Sequence, residues 1–186
     1  MRVKLSDVAI YSTDRIDSNK LNEMNYVGVD NLLQNKQGKC DSEYVPTDGK
    51  WIKYKPKDIL IGNIRPYLRK IWFSDNVGGT NGDVLVIKNI FEFLNSKYLY
   101  YILSSEGFFN YNISYSKGAK MPRGDKNIIM QYEFEIPSIE EQNRIVSILD
   151  KFDKYCNDIL GGLPAEIKYR QQQYEYYRNK IINMKG

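Results

Sequence analysis

The chain has 186 residues, of which 42% are hydrophobic and 27% charged, and its formal net charge is +4. This composition is typical of a folded globular protein with one substantial core, so disorder is not the default expectation. No apolar run approaches the ~20 residues of a membrane-spanning helix and the N-terminus lacks the apolar segment of a signal peptide, so we expect a cytoplasmic protein without a membrane partner.

The first third of the chain alternates short structured segments with polar stretches. Residues 4–8 predict a short turn of helix, and residues 26–29 predict a short strand. Residues 12–25 are polar and lack periodicity, and residues 35–48 are rich in Gly, Lys, Asn and Asp. Both stretches are therefore predicted to be loops.

The middle of the chain carries the strongest strand signals. Residues 57–64 are β-branched and apolar and lie between two prolines, and residues 71–73 are their predicted partner across a turn. The glycines of residues 78–83 favour a further turn. Residues 84–87 predict a buried strand because all four are apolar.

The next part of the chain contains two capping signals. Asn95 or Ser96 is predicted to cap a helix that extends to residue 103. Residues 107–124 contain Gly and Pro among basic residues and are predicted to be a loop. Asp125 is predicted to cap one further short helix, and residues 132–136 are predicted to form a closing strand.

These elements predict an α+β fold. A globular domain of residues 1–136, with a twisted mixed sheet and flanking helices, is followed by a C-terminal helical, coiled-coil-like arm of residues 137–186. Ser138 and Glu141 form a capping box at the start of the first arm helix, where each side chain can accept from the other residue's amide. Behind it, apolar residues recur at three- and four-residue steps as far as residue 160.

A second arm helix follows a break at Gly161 and Gly162, with Pro164 in its first turn. Its heptad-like seam is a predicted dimer or partner interface. The seam consists of Ile167, Arg170, Tyr174, Tyr177, Ile181 and Met184. A helical hairpin that folds back on its own domain is the alternative that periodicity alone allows.

The residues required for most catalytic sites are missing. The sequence has no histidine, the commonest general base and metal ligand, and Cys40 and Cys156 cannot by themselves fill a tetrahedral zinc site. The glycine-rich run GGTNGD, residues 78–83, lacks the Lys-Ser/Thr of a nucleotide-binding loop. Glu166 and Lys168 have the spacing of a nuclease half-site without a matching aspartate. We therefore predict no catalytic residue, no metal site and no cofactor in this chain.

Positive charge is concentrated in two windows. Residues 50–72 hold seven basic residues against one acidic residue, and residues 117–126 hold four against one. Such clustering indicates a polyanionic partner, although a pair of solvated lysine loops is the alternative. Arginine forks can read base edges, and lysines neutralise phosphates. The candidate DNA-binding residues are Arg65, Tyr67, Arg69, Lys70, Lys117, Lys120, Arg123 and Lys126.

Three segments of the arm resemble a known family. Pro137, Glu141 and Gln142 open the arm, the run Leu-Asp-Lys-Phe-Asp occupies residues 149–153, and residues 163–178 read LPAEIKYRQQQYEYYR. Together they resemble the conserved region of the specificity subunits of type I restriction–modification systems. Within the domain, KDILIGNIRPYLRKI and SKGAKMPRGDKNII resemble segments of the family's target-recognition domains.

The resemblance implies a non-catalytic reader of double-stranded DNA that directs other subunits to a bipartite target. Methyltransferase (modification) subunits that bind S-adenosylmethionine would dock on the arm, and a restriction subunit would supply ATP- and Mg-dependent chemistry. Members of the family usually carry two recognition domains and two conserved regions, whereas one of each is visible here. The resemblance therefore leaves open a homodimer of half-subunits or a fragment of a longer gene.

Two other classes of function remain open at this point. A small DNA-modifying enzyme is disfavoured by the missing motifs. A protein-interaction adaptor without DNA readout is harder to exclude, because a heptad arm and basic loops would serve that function too.

Overall fold

A computed structural model of the chain describes residues 1–154 and Gln173. The strands are β1 (Arg2–Lys4), β2 (Ala9–Tyr11), β3 (Arg15–Asp17), β4 (Tyr26–Val27), β5 (Lys50–Tyr54), β6 (Ile59–Gly62), β7 (Ile71–Phe73), β8 (Gly78–Thr80), β9 (Val84–Asn89) and β10 (Glu133–Glu135). The helices are α1 (Leu5–Val8), α2 (Ser96–Leu103), α3 (Glu106–Ser114), α4 (Lys126–Ile129) and α5, the helical residues 139–154.

The strands form two four-stranded sheets and one two-stranded ribbon. The first sheet has the order β2-β9-β6-β7 and is antiparallel throughout. The second sheet has the order β3-β5-β8-β4, and it is mixed because β4 runs parallel to β8. The ribbon pairs β1 with β10, which joins the beginning of the chain to the strand that precedes α5. The predicted α+β class is confirmed.

The core lies around β6 and β9, the central strands of the antiparallel sheet. Every residue of β6 is buried, as are the first four residues of β9, so both faces of these strands are covered. A ring contact of 5.6 Å between Tyr54 and Trp72 links β5 of the mixed sheet to β7 of the antiparallel sheet. The predicted pairing of residues 57–64 with residues 71–73 is confirmed.

The prediction of a turn at residues 78–83 is wrong for its first three residues. Gly78, Gly79 and Thr80 form β8, a buried strand between β5 and β4. A Cβ on Gly78 would overlap the ring of Tyr54 and a backbone carbonyl, and one on Gly79 would lie 2.8 Å from Ile16. Glycine is required here by close approach and not by a turn.

The loop prediction for residues 107–124 is also wrong in its first half, because α3 extends to Ser114. Ser105 caps this helix by accepting from the amide of Phe108. The buried residues of α3 are Phe108, Phe109 and Asn112. Aromatic and asparagine residues are weak helix formers, so packing and not propensity decides this element.

Some short strands were not predicted, because their sequences have little internal pattern. β3 lies within the predicted loop of residues 12–25, with one buried residue, Ile16, between two exposed neighbours. β1 and β5 were not predicted, since their lysines and arginines lie on strand faces that water reaches. Three alternating residues are too few for a period of two to stand out.

Both capping predictions of the domain are confirmed. The side chain of Asn95 accepts from the amides of Lys97 and Tyr98 at the start of α2. Asp125 accepts from the amides of Asn127 and Ile128 at the start of α4. These caps fix where each helix begins, and the second one fixes the end of the basic segment that precedes it.

The chain divides into two compact units, Met1–Asn143 and Arg144–Gly186. Helix α5 begins near the predicted capping box, where the amide of Glu141 donates to Ser138 Oγ at 3.4 Å. The second arm helix and its seam lie outside the described residues. The assignment of residues 1–136 to DNA recognition and of 137–186 to docking stays a prediction.

Candidate nucleic-acid interface

The first basic window is centred on the connection between β6 and β7, residues 65–69, which we call the arginine turn. Pro66–Leu68 form one turn of 3-10 helix, bracketed by Arg65 and Arg69 in the left-handed backbone conformation, with φ of 53° and 52°. Non-glycine residues adopt this conformation infrequently, and it is held here by surrounding hydrogen bonds. Tyr67 at the tip is 50% exposed.

The second basic window, residues 117–126, lies mostly in the connection between α3 and α4, residues 115–125, which we call the basic loop. Its residue Arg123 forms backbone bridges on two sides, with Ile64 and with Lys117. The amide of Arg65 donates to the carbonyl of Pro122 at 2.7 Å, and the amide of Gly124 donates to the carbonyl of Asn63 at 3.2 Å. The structure thus brings the two charge windows together.

A third segment, residues 28–44 between β4 and β5, borders the other side of the arginine turn; we call it the excursion. The amides of Asn35 and Lys36 donate to the carbonyls of Leu68 and Arg69 at 3.0 and 2.9 Å. The arginine turn is therefore hydrogen-bonded to one loop on each side.

Two of the predicted DNA-binding residues of the first window are engaged in internal contacts. Arg69 pairs with Glu106 at 2.7 Å, and Lys36 of the excursion pairs with the same carboxylate at 3.1 Å. The hydrogen bond from Lys36, with additional attraction from Arg69, lowers the pKa of Glu106. Lys70 donates to the carbonyl of Val29 at 2.7 Å. Both predicted residues thus fasten the arginine turn to its neighbours.

Two cations of the basic loop face carboxylates of their own. Lys117 pairs with Asp125 at 2.7 Å, and Arg123 pairs with Asp83 at 3.1 Å. The hydrogen bond from Lys117 is the main cause of a lowered pKa at Asp125. Both cations are more than half exposed, so a phosphate could exchange with either carboxylate.

The remaining predicted cations have no carboxylate partner within residues 1–154. Arg65, Lys120 and Lys126 are exposed, and none of them forms an ion pair in that range. They come from three successive pieces of the site: the arginine turn, the basic loop and the first residue of α4. Of the eight predicted residues, these three have charges that are available without breaking an internal contact.

A cleft of ≈ 990 Å³ opens between the excursion and the arginine turn. Its lining includes Arg65, Met121 of the basic loop, and several residues that the sequence did not single out, namely Gln34, Tyr44, Trp51, Asn81 and Asp83. Tyr44 is 69% exposed, and an exposed aromatic side chain in a loop is a common mark of a contact surface. Only the fold could have placed Tyr44 near Arg65, because β5 and β6 lie between them in the chain.

The described residues contain no group of three or more His, Cys, Asp or Glu side chains that could hold a metal ion. Among the same residues, no helix is both long and apolar enough to cross a membrane. The predicted interface residues Ile167, Arg170, Tyr174, Tyr177, Ile181 and Met184 lie outside the described part of the chain. Within α5, Ile148 and Phe152 are exposed by 40% and 61%.

Residues 1–169 match the family described as the type I restriction modification DNA specificity domain. The chain belongs to this type I specificity family. Membership bears out the resemblance seen in the arm and the domain, and it places the chain with the recognition component of these systems and not with a catalytic one.

Several curated specificity subunits are similar in sequence. A putative type I specificity subunit of Mycoplasma pneumoniae is 32% identical over 137 residues, or 73% of this chain and 41% of the relative. A putative type I restriction enzyme specificity subunit of Haemophilus influenzae is 33% identical over 132 residues, covering 69% and 32%. The EcoR124I/EcoR124II specificity subunit of Escherichia coli is 40% identical over 87 residues, covering 47% and 22%.

Solved structures share the fold. The HsdS subunit of Thermoanaerobacter tengcongensis superposes with a TM-score of 0.64 at 21% identity, over 86% of this chain and 43% of that one. A chain from a study of complex assembly and conformational transition of the type I R-M system gives 0.66 at 20% identity, with the same coverage. The type I specificity chain described here spans less than half the length of these proteins.

Proposed function

We propose that this chain is a DNA-recognition unit that reads duplex DNA with the arginine turn, the basic loop and the adjoining cleft. The observation that carries the proposal is the joining of two separate charge windows by backbone hydrogen bonds, in a member of a DNA specificity family. The alternative of two solvated lysine loops does not require the two windows to adjoin, whereas a single DNA-binding surface does.

Some of these residues would bind phosphates and provide affinity, and others would contact base edges and read the sequence. Lys120 and Lys126 lie on exposed loop and helix-start positions suited to phosphates, which fix the register of a protein on DNA. Arg65 lies at the edge of the cleft with an uncommitted guanidinium, and a guanidinium can bind the O6 and N7 atoms of guanine with two hydrogen bonds. Tyr67 in the arginine turn and Tyr44 in the lining of the cleft offer further hydroxyls and rings.

The proposed assembly extends this role to other subunits. We expect the unit to direct methyltransferase and restriction subunits to a bipartite target, with S-adenosylmethionine, ATP and Mg bound by those partners. Two copies of the chain would pair through the arm and read identical half-sites related by a two-fold axis. The exposed Ile148 and Phe152 of α5 support a protein partner on the arm.

DNA binding is tested directly by fluorescence anisotropy of a labelled random-sequence duplex at a series of salt concentrations. If about six phosphates are neutralised, the logarithm of affinity falls against the logarithm of salt with a slope near −5. Selection from a pool of random duplexes would then give the target, for which we expect an inverted repeat with an unspecified gap.

Two outcomes would favour the other classes of function. Binding to modification subunits without any affinity for DNA would indicate an adaptor. Methyl transfer from S-adenosylmethionine or Mg-dependent cleavage by the purified chain alone would indicate an enzyme.

The dimer has its own test. Sedimentation of the wild type at tens of micromolar is compared with the double variant Tyr174→Glu, Ile181→Glu. We expect the wild type to be a dimer and the variant a monomer, since two carboxylates in a short apolar seam are costly to bury. A wild-type monomer, or a dimer unaffected by both charges, would contradict pairing through the second arm helix.

A further inference from the structure

A buried polar junction lies where the basic loop meets β6 and α3. Asn112 of α3 is only 1% exposed, and neither atom of its amide group has a hydrogen-bond partner in the part of the chain that the structure describes. Asn63, which follows β6, has an amide oxygen buried in the same unpaired state. Buried amide groups are nearly always hydrogen-bonded, so two unpaired groups at one place need a physical explanation.

Gly124 of the basic loop packs against both amides. A Cβ at this position would lie 2.8 Å from Asn63 Oδ1, and it would overlap Asn112 Oδ1. The glycine amide also donates to the carbonyl of Asn63. Direct contact at this one residue therefore sets the distance of the basic loop from β6 and from α3.

The junction adjoins the charged residues of the site along both chain segments. Gly124 directly follows Arg123, and Asn63 lies two residues before Arg65, whose left-handed backbone is a second irregularity of the same region. An apolar residue at position 112 would be easier to bury than an unpaired amide. Departures of this kind from optimal stability occur preferentially where a structure serves function.

We propose that Asn63, Asn112 and Gly124 are positioning residues for DNA binding. By holding the basic loop at a fixed distance from the arginine turn, they would place Arg65, Lys120 and Arg123 so that all three contact the same stretch of DNA, Arg65 at a base edge and the other two at phosphates. This inference rests on the proposed function. The three residues carry no charge and act through the geometry of the loop.

The test uses substitutions that disturb the junction in opposite directions. Gly124→Ala introduces a clash, and Asn112→Ala leaves a gap. In the double variant the new methyl group occupies part of the space that the amide has left. We expect each single variant to bind DNA less tightly, by about tenfold for Gly124→Ala, with a salt slope reduced by ~1 for each phosphate that the variant no longer binds. The double variant should recover much of the lost affinity and much of the lost salt slope.

Gly82→Ala is the matched control, because a Cβ at Gly82 would meet nothing within 4 Å. Thermal unfolding of each variant, followed by circular dichroism, separates positioning from folding. Asn112→Ala should unfold at or above the wild-type temperature, since it removes an unpaired buried amide. Because its binding should fall at the same time, affinity and stability would move in opposite directions.

The outcomes distinguish this inference from the proposed function. A wild type that shows no salt-dependent DNA binding would overturn the proposed function and the inference together. A wild type that binds, with Gly124→Ala and Asn112→Ala equal to it in affinity and slope, would overturn the inference alone. Decreases in affinity that follow decreases in unfolding temperature, and that the double variant does not relieve, would assign the junction to folding and overturn the inference too.

Discussion

The backbone amide of Arg65 donates to the carbonyl of Pro122 at 2.7 Å, and this bond joins the arginine turn to the basic loop. The two residues are far apart in sequence and belong to separate concentrations of positive charge. Their contact turns two local features of the sequence into one surface, on which the candidate interface depends.

Arg65 should contribute to DNA binding more than its charge alone would suggest. Arg65→Ala is expected to weaken binding to the selected target by about 1–3 kcal/mol and to relax the preference at one base position. The matched control is Arg2→Ala, which removes the same charge from the ribbon of β1 and β10. Equal decreases for the two variants would mean that only net charge matters.

Asp125 is expected to restrain DNA binding by holding Lys117. Asp125→Asn should increase affinity and steepen the salt slope by ~0.9, because one further cation becomes free to bind a phosphate. Asparagine retains the cap of α4, since its side-chain oxygen can accept the same amides. Asp7→Asn, at the first turn of α1, changes the net charge equally and should have a smaller effect.

Gln142 should be important for stability. Its buried side chain accepts from the amide of Asn95 at 2.8 Å and donates to the carbonyls of Phe93 and Pro137, both at 3.0 Å. Gln142→Leu would leave these three backbone groups unpaired, and we expect a decrease of about 2–4 kcal/mol in the free energy of unfolding. Denaturant unfolding measures the decrease, with the exposed Gln131→Leu as the control.

Glu106 should make the stability of the domain depend on pH in the acidic range. Its pKa is lowered in the folded chain, so the folded state binds fewer protons than the unfolded state at acidic pH. The resulting stabilisation is fully present above the ordinary glutamate pKa of about 4.3, and it is lost as the pH falls through the lower folded value.

Glu106→Gln removes this contribution, so its stability should lie closest to that of the wild type at the most acidic pH and fall below it as the pH rises. Unfolding by urea at several pH values measures the difference. Glu92, an exposed carboxylate with no ion pair within residues 1–154, provides the control substitution Glu92→Gln. A difference that does not change with pH would contradict this role for Glu106.

The sequence predicted those elements of the fold that depend mainly on residues close together in the chain. Asn95 and Asp125 were recognisable as caps because a short polar side chain just before an apolar helical segment can accept hydrogen bonds from the first backbone amides of the helix. Residues 57–64 and 84–87 were recognisable because short apolar, β-branched runs bounded by turn residues are typical of buried strands.

The remainder depends on contacts that the sequence does not display. α3 forms because Phe108 and Phe109 are buried by other segments, although its composition favours a loop. The charges of Arg69 and Lys70 suggested DNA contacts, but only the fold shows that Glu106 and the Val29 carbonyl already engage them. The positions of lysine and arginine in the sequence indicated where the basic surface lies. Which of those cations are free of internal contacts could be identified only from the three-dimensional structure.

The buried strand of Gly78 and Gly79 has a consequence for comparing chains of this fold. Because a backbone carbonyl and the ring of Tyr54 occupy the space where a Cβ of Gly78 would stand, a sequence that pairs β8 with β4 and β5 in this way must keep glycine at position 78. At position 79, a Cβ could be accommodated only if the side chains of Ile16 and Leu21 moved or were replaced. Exposed loop positions such as Arg65 and Lys120 are under no such restriction. Two chains that read unrelated DNA targets can therefore be aligned on this strand, and their differences in the loops can then be compared position by position.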